Sequence, residues 1–136
     1  MPAHVAARVA EALNDRGKPV RGSRVCVLGV AYKRDVGDCR ESPGLALMDL
    51  LLRRGAEVCY HDPHVPALPR TRRHPHLAGG SRPLTSGLLQ SQDAVVIVTD
   101  HSACDWAWVV GHAPLVIDTR NATRGVPAPP GKIVHA

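Results

Sequence analysis

The chain has 136 residues, enough for one domain with a real core and too few for two comfortable ones. Its composition is 44% hydrophobic but only 3% aromatic, with no phenylalanine, so the core must consist of Val, Leu, Ile and Ala. The formal net charge is +5, but the arginines are scattered and stacking aromatics are scarce, which argues against a nucleic-acid partner and favours a small anionic ligand.

Helical and strand-like patterns alternate along the chain. Residues 3–16 carry Val5, Val9 and Leu13 at a helical spacing, which predicts a leading helix. Apolar runs predict strands over residues 24–31, 57–61, 94–98, 115–118 and 132–135, and helices between them over residues 43–54, 84–90 and 104–111. This alternation predicts a doubly wound, mainly parallel, three-layer Rossmann-like α/β fold. The connection over residues 62–83, rich in Pro, Gly, Arg and His, is expected to be irregular.

Polar clusters follow three of the predicted strands. They comprise residues 32–40, 99–101 and 118–121. Because the carboxyl ends of parallel strands meet at one edge of a sheet, these clusters should form a single crevice. The side chains expected to line it are Lys33, Arg40, His101 and Arg120. Ser42, followed by Pro43, predicts a capped helix start beside them, whose oriented amides favour anions. The pattern predicts a phosphate-binding site.

Cofactor and metal sites have weaker support. A single glycine, Gly29, follows the first strand where a dinucleotide-binding loop has two or three, so NAD is not expected in the usual Rossmann cradle. Four histidines lie close in sequence: His61, His64, His74 and His76. The last three lie among prolines and arginines, whose positive charge opposes metal binding, so no metal site is predicted.

The four cysteines have no metal-binding spacing. Cys26 and Cys59 fall inside predicted strands and are expected to be small core residues. No base is placed beside Cys39 or Cys104, so neither is predicted to be a catalytic thiol. The sequence shows neither a signal peptide nor an apolar run near the roughly 18 residues of a membrane span, so a cytoplasmic protein without a membrane partner is expected.

The segment VLGVAYKRDVGDCRESPGLALMDLLLRRGAEVCYHDPHVP resembles the C-terminal, UDP-binding domain of the UDP-glucose/GDP-mannose dehydrogenase family. The motifs YHDPHVP, IVTDHSACDW and VIDTRNATRGV are most similar to the UDP-N-acetylglucosamine 6-dehydrogenase branch. The resemblance implies part of an NAD-dependent oxidoreductase that converts the 6-hydroxymethyl group of a UDP-sugar to a carboxylate. In this family NAD is bound mainly by an N-terminal Rossmann domain, and the catalytic cysteine also lies outside the region resembled.

The resemblance also implies roles for individual residues. Tyr32 and Lys33 would contact the UDP-sugar, Arg120 its diphosphate region, and Arg40 the NAD phosphates across a domain interface. No catalytic residue is expected in the chain, which alone should be inactive. Residues 1–19 would be the tail of a missing central domain, and residues 20–136 the UDP-binding domain. The implied partners are the UDP-sugar and the other domains of a homo-oligomeric parent enzyme.

Three interpretations stay open. The chain is either part of that enzyme or a stand-alone, non-catalytic module that binds a nucleotide sugar or a partner chain. An independent NAD(P)-binding oxidoreductase domain is the third possibility, which the single Gly29 disfavours.

Overall fold

The computed structural model describes residues 2–69, 74, 77 and 79–136. Its helices are α1 (Pro2–Asn14), α2 (Pro43–Arg53), α3 (Ser86–Gln90) and α4 (Trp106–His112). Its strands are β1 (Arg24–Leu28), β2 (Glu57–His61), β3 (Ala94–Ile97), β4 (Val116–Asp118) and β5 (Ile133–His135). All five strands are parallel and lie in the order β2-β1-β3-β4-β5. This confirms the predicted doubly wound α/β fold with a leading helix.

Two hydrophobic clusters define the three layers. On one face, α1 and α2 pack against the sheet through fully buried aliphatic side chains such as Val9, Leu13 and Leu51. On the other face, α3 and α4 pack against the sheet through Leu89 and Val109. Successive residues of β1 and β3 alternate between the two clusters, as the pleat of a strand requires. Helix α1 therefore shares its core with the sheet.

The predicted elements differ from the observed ones mainly at their ends. Strand β1 ends at Leu28 rather than at residue 31, because Gly29 adopts a φ of 84° and turns the chain out of the ladder. Helix α4 starts at Trp106, since the side chain of Asp105 accepts a hydrogen bond from the amide of Trp108 and caps the helix there. The sequence left the order of the strands open. In the structure β2 lies on one side of β1, and β3, β4 and β5 follow on the other side.

The described part of residues 62–83 contains one isolated antiparallel bridge, between Ala67 and Gly80, and no helix or strand. The prediction of an irregular connection is confirmed for those residues. The rest of it, together with His76, lies outside the residues that the structure describes. Among the helices of the described residues, none has the length and apolar character needed to cross a membrane.

Candidate functional site

The site lies between β1 and β3, at the point in the sheet where the order of successive strands reverses. The loop after β1 leads to α2 on one face, and the loop after β3 leads to α4 on the other, so the two loops diverge and leave a crevice between them. Gly29 brings these loops close together: a Cβ there would meet the carbonyl oxygen of Thr99 at 2.3 Å. The start of α2 also packs tightly against the loop after β1, since a Cβ on Gly44 would meet the Cα of Val30 at 3.0 Å.

An open cleft of about 420 Å³ occupies this edge of the sheet. Its lining residues are Tyr32, Lys33, Pro43, Thr119 and Arg120. The structure thus brings together the three side chains for which substrate contact was predicted, and it places the first residue of α2 beside them. Ser42 caps this helix as predicted, because its Oγ accepts a hydrogen bond from the amide of Gly44 at 3.0 Å. The amino-terminal end of α2 adds partial positive charge to the cleft.

Arg120 is held by a buried carboxylate. The side chain of Asp118, 1% exposed, accepts hydrogen bonds from the amides of Arg120, Ala122 and Thr123 and from the hydroxyl of Thr123, at 2.6 to 3.1 Å. Burial alone would raise the pKa of Asp118, but these hydrogen bonds, led by the one from the Thr123 hydroxyl, lower it below the usual range. The turn that carries Arg120 is therefore fixed by an ionised side chain.

The guanidinium of Arg120 is only partly used within the protein. Its Nε donates to the carbonyl oxygen of Val98 at 2.9 Å, which directs the side chain across the end of β3. Within the described part of the chain, its two Nη atoms have no hydrogen-bond partner and no carboxylate lies within 4.0 Å. Two parallel N–H donors that have no partner among the described residues are suited to bind the oxygens of a phosphate.

The loop that carries Tyr32 and Lys33 is anchored by Asp62, whose side chain is fully buried. Its Oδ2 accepts from the amides of Val30 and Ala31, at 2.9 and 3.0 Å, and its Oδ1 accepts from the amide of His64 at 2.8 Å. Burial alone would raise the pKa of Asp62, but the hydrogen bonds, first that from His101 and then those from these amides, lower it. One carboxylate thus connects the loops after β1 and β2.

His101 does not line the crevice, so that prediction is wrong. The ring is 1% exposed and lies beneath the β1 loop, where Nε2 donates to Asp62 Oδ2 at 2.8 Å. Its Nδ1 accepts from the amide of Asp35 at 2.9 Å, so the ring proton is on Nε2. The reason for the difference is that a buried carboxylate requires donors, and His101 supplies one from the loop after β3. Its role is to join the third loop to this network.

Other cations of the β1 loop are engaged by neighbouring carboxylates. Arg34 pairs with Asp100 at 2.6 Å, and Arg40 pairs with Asp38 at 3.2 Å. The side chain of Arg40 is 80% exposed and lies outside the residues that line the cleft, which differs from the predicted four-residue crevice. Lys33, in contrast, has no carboxylate within ion-pair distance among the residues described.

The cysteines of the loops lack the properties of nucleophiles. Cys39 is buried, and burial together with the charge of Asp38 raises the pKa of its thiol. Burial and the charge of Asp62 likewise raise the pKa of Cys104. A thiol with a raised pKa is mostly protonated near neutral pH and reacts slowly.

One cluster with metal-ligand atoms occurs in the described part of the chain. The ligand atoms of Asp35, His64 and His101 lie within 4.8 Å of one another. Both nitrogens of His101 are engaged, and the carboxylate of Asp35 accepts hydrogen bonds from the amide and hydroxyl of Ser102. The cluster is accounted for as a set of hydrogen bonds that holds the loops after β1 and β3 together.

Reasoning from the sequence missed the two buried aspartates. The sequence patterns predict no role for Asp62, and they place Asp118 only in the polar cluster of residues 118–121. The available signal was an acidic residue at the end of an apolar strand, followed by a proline in one case and by Thr-Arg-Asn in the other. Neither position indicates by itself which distant amides the carboxylate will bind.

Fold and cleft together define a doubly wound α/β domain with a cation-lined cleft at its topological switch point. Residues 26–125 match the family described as "UDP-glucose/GDP-mannose dehydrogenase family, UDP binding domain". This match extends over more than half of the chain. The chain therefore belongs to the UDP-glucose/GDP-mannose dehydrogenase family, as its UDP-binding domain, and the enzymes of this family are NAD-dependent dehydrogenases.

Individual relatives agree with this assignment. A UDP-N-acetyl-D-mannosamine dehydrogenase from Methanococcus maripaludis is 31% identical over 105 residues, which are 76% of this chain and 21% of the relative. A UDP-glucose 6-dehydrogenase from Pseudomonas aeruginosa is 33% identical over 111 residues, 74% of this chain and 24% of the relative. The solved structure of a UDP-D-ManNAc dehydrogenase from Pyrococcus horikoshii superimposes with a TM-score of 0.78 at 26% identity, covering 99% of this chain and 30% of that one.

The chain thus spans between 21% and 30% of the length of these relatives. Their names confirm the predicted resemblance at the level of the family and of UDP-sugar dehydrogenases. None of the three is named a UDP-N-acetylglucosamine dehydrogenase, so that finer prediction is not confirmed.

Proposed function

We propose that this chain holds the UDP end of a UDP-sugar as one part of an NAD-dependent nucleotide-sugar 6-dehydrogenase. The observation that carries the proposal is the shared cleft, in which Lys33 and Arg120 meet from separate loops without a carboxylate partner among the described residues. Arg120 offers two Nη donors to the diphosphate, Lys33 adds a second positive charge, and the start of α2 adds oriented amides. Tyr32, 56% exposed at the same cleft, contributes a flat surface with a hydroxyl.

The contribution of such a domain to the reaction is positioning. By fixing the nucleotide, it places the C6 hydroxymethyl group of the sugar against a cysteine supplied by another part of the enzyme, which lowers the entropic part of the barrier. No residue of this chain is assigned a catalytic role, and the chain alone is expected to be inactive. The remaining domains of a homo-oligomeric parent enzyme are its proposed partners.

The residues after β1 do not fit a Rossmann dinucleotide cradle. Gly29 faces Thr99 so closely that it serves contact between loops, and α2 begins only after the long loop that Asp62 anchors. NAD is therefore assigned mainly to another domain. Arg40, exposed at the surface of this loop, is proposed as a single contact to the NAD phosphates, for which it would exchange its ion pair with Asp38.

The sugar is proposed to be an N-acetylated hexose. The sequence motifs predict UDP-N-acetylglucosamine, whereas two of the relatives reported above act by name on UDP-N-acetylmannosamine and one on UDP-glucose. These three nucleotide sugars share the UDP that this cleft is proposed to bind, so the chain should bind them with similar affinity. The choice among them belongs to the enzyme as a whole.

The test is calorimetric titration of the chain with UDP, these three UDP-sugars, GDP and NAD. We expect UDP and the UDP-sugars to bind more tightly than GDP and NAD. Arg120→Ala should weaken UDP binding by about 1.5–3 kcal/mol, or roughly 10- to 150-fold, because a charge-assisted hydrogen bond to phosphate is lost.

Arg54→Ala is the matched control. It removes an exposed arginine just after α2, at the opposite edge of the sheet, and should leave the affinity for UDP unchanged. Equal affinity of the Arg120→Ala and Arg54→Ala variants would refute the proposed role of Arg120. Tighter binding of NAD than of UDP would favour an independent NAD(P)-binding domain instead.

A further inference from the structure

Two cysteines face each other across β1 and the edge strand β2, away from the cleft. Cys26 of β1 and Cys59 of β2 are direct partners in the parallel register. Neighbouring strands lie about 4.8 Å apart, which falls within the roughly 4.4–6.8 Å between Cα atoms that a disulfide requires. Both side chains belong to the face that α3 and α4 cover, and the Sγ of Cys59 donates a hydrogen bond to the Oε1 of Gln92 at 3.9 Å. The geometry of a cross-strand dithiol is thus already present.

The two thiols differ in their access to solvent. Cys26 is fully buried, whereas Cys59 lies on the edge strand and is only half-buried. Cys59 lines an open cleft of about 330 Å³, together with Arg24, Glu57, Arg82 and Gln92. Arg24 and Glu57 are the first residues of β1 and β2, so this cleft lies at the opposite end of the strands from Lys33 and Arg120. A small solute can reach Cys59 while Cys26 stays covered.

The electrostatic surroundings make the accessible thiol the more reactive one. The neighbouring Cys26 thiol, and after it the positive charge of Arg82, lower the pKa of Cys59 to about 7 against the opposing effect of burial. The neighbouring Cys59 thiol, together with burial, raises the pKa of Cys26. A half-exposed thiol with a lowered pKa, with a second thiol directly opposite it on the neighbouring strand, has the arrangement of a redox-active pair.

We propose that Cys26 and Cys59 form a redox-active dithiol that hydrogen peroxide converts to an intrachain disulfide between β1 and β2. The sulfur of Cys59 attacks one peroxide oxygen and the O–O bond breaks, which gives a sulfenic acid at Cys59 and, with the proton of its thiol, one water. The sulfur of Cys26 then attacks the sulfur of Cys59. The S–S bond forms, the S–O bond breaks, and the hydroxyl leaves with the proton of Cys26 as a second water. In sum, two thiols lose two electrons and hydrogen peroxide is reduced to two waters.

The experiment treats the full chain with one equivalent of hydrogen peroxide and follows free thiols, intact mass and non-reducing peptide maps. Of the four cysteines, which are all free, we expect two to be lost rapidly, the mass to fall by about 2 Da, and one linked peptide pair containing Cys26 and Cys59 to appear. A dithiol reductant should restore both thiols by thiol–disulfide exchange, because it can reach the half-buried sulfur of Cys59 from the cleft.

Variants separate the two thiols. Cys59→Ser should slow thiol loss at least about tenfold, and Cys26→Ala should stop the reaction at a sulfenic acid that dimedone traps. Cys104→Ser removes another half-buried cysteine and is the control, which should react like the unaltered chain. Circular dichroism checks the folding of each variant, and the peptide map of the unaltered chain decides the question if Cys26→Ala does not fold. Thiol loss spread evenly over the four cysteines, or a disulfide between chains, would overturn the proposal.

Discussion

A single substitution can test the hydrogen bonds of the buried Asp62 carboxylate, which hold the loops around the cleft. Asp62→Asn keeps the size of the side chain but replaces one of its oxygens by an NH₂ group. The oxygen that remains can take the Oδ2 position, where it accepts from Val30, Ala31 and His101. The NH₂ group then faces the amide of His64, so two donors oppose each other in a site with no exposure to solvent.

The magnitude follows from these contacts. Replacing a charged acceptor weakens three hydrogen bonds, and leaving the His64 amide without an acceptor costs about 1–3 kcal/mol more. We expect a loss of about 3–5 kcal/mol in the free energy of unfolding, which lies at the upper end for single substitutions. The measurement is urea unfolding followed by the fluorescence of Trp106 and Trp108. Asp15→Asn, at an exposed aspartate after α1, is the control and should change stability by less than about 0.5 kcal/mol. A loss below about 1 kcal/mol for Asp62→Asn would refute the role of Asp62 as an anchor.

The pH dependence of stability supplies an independent check with a definite sign. The pKa of Asp62 is lower in the folded chain than its ordinary value of about 3.9 in an unfolded one. Such a group contributes stability that is complete above about pH 4 and is lost as the pH falls toward the folded pKa. The difference in unfolding free energy between the unaltered chain and Asp62→Asn should therefore shrink below about pH 4. Because Asp35 and Asp118 also have lowered pKa values, only this difference isolates Asp62. A difference independent of pH between 2 and 7 would contradict the assignment.

Two further substitutions test the close approach of the loops and the charge of the cleft. Gly29→Ala should lower the free energy of unfolding by more than about 3 kcal/mol, because a strained positive φ is combined with a 2.3 Å approach to Thr99. Gly131→Ala, with a similar φ of 80° but nothing within 4 Å, is the matched control and should cost only about 1 kcal/mol by the same urea titration. Lys33→Ala should weaken UDP binding by roughly 3- to 10-fold at low salt, and by less at high salt, because an exposed charge is screened. Calorimetry at two salt concentrations measures this, and an unchanged affinity at low salt would exclude Lys33 from the site.

The sequence was sufficient for the elements that local patterns determine. Strand β2 was predicted with the bounds observed, since its apolar residues are enclosed by Gly55-Ala56 and by Asp62-Pro63. Helix α2 was predicted to within one residue, because a Ser-Pro start and an apolar stripe both depend on neighbours in sequence. The strand order was not accessible in this way. It depends on which edge of β1 the chain returns to after α2 and β2, a choice that no local pattern records.

The placement of His101 shows the same limit within the site. A histidine after an apolar strand at a sheet edge was reasonably expected to face the ligand. Its actual position depends on Asp62, whose carboxylate is removed from water only when the loops after β1, β2 and β3 come together. The carboxylate needs hydrogen-bond donors from the protein only once the fold has removed it from water. The position of His101 could therefore not be derived from the sequence of any one of these loops.

The distribution of ion pairs explains why the cleft, rather than the whole β1 loop, should select an anion. Arg34 and Arg40 are balanced by Asp100 and Asp38, so they contribute little net charge. Lys33 and Arg120 have no such partner among the described residues, and they flank the start of α2. Unbalanced cations are tolerated here because the cleft is open to water, and bringing them together favours a ligand with at least two negative charges. A diphosphate meets that requirement better than a single carboxylate, which links the charge pattern to the nucleotide part of the proposed ligand.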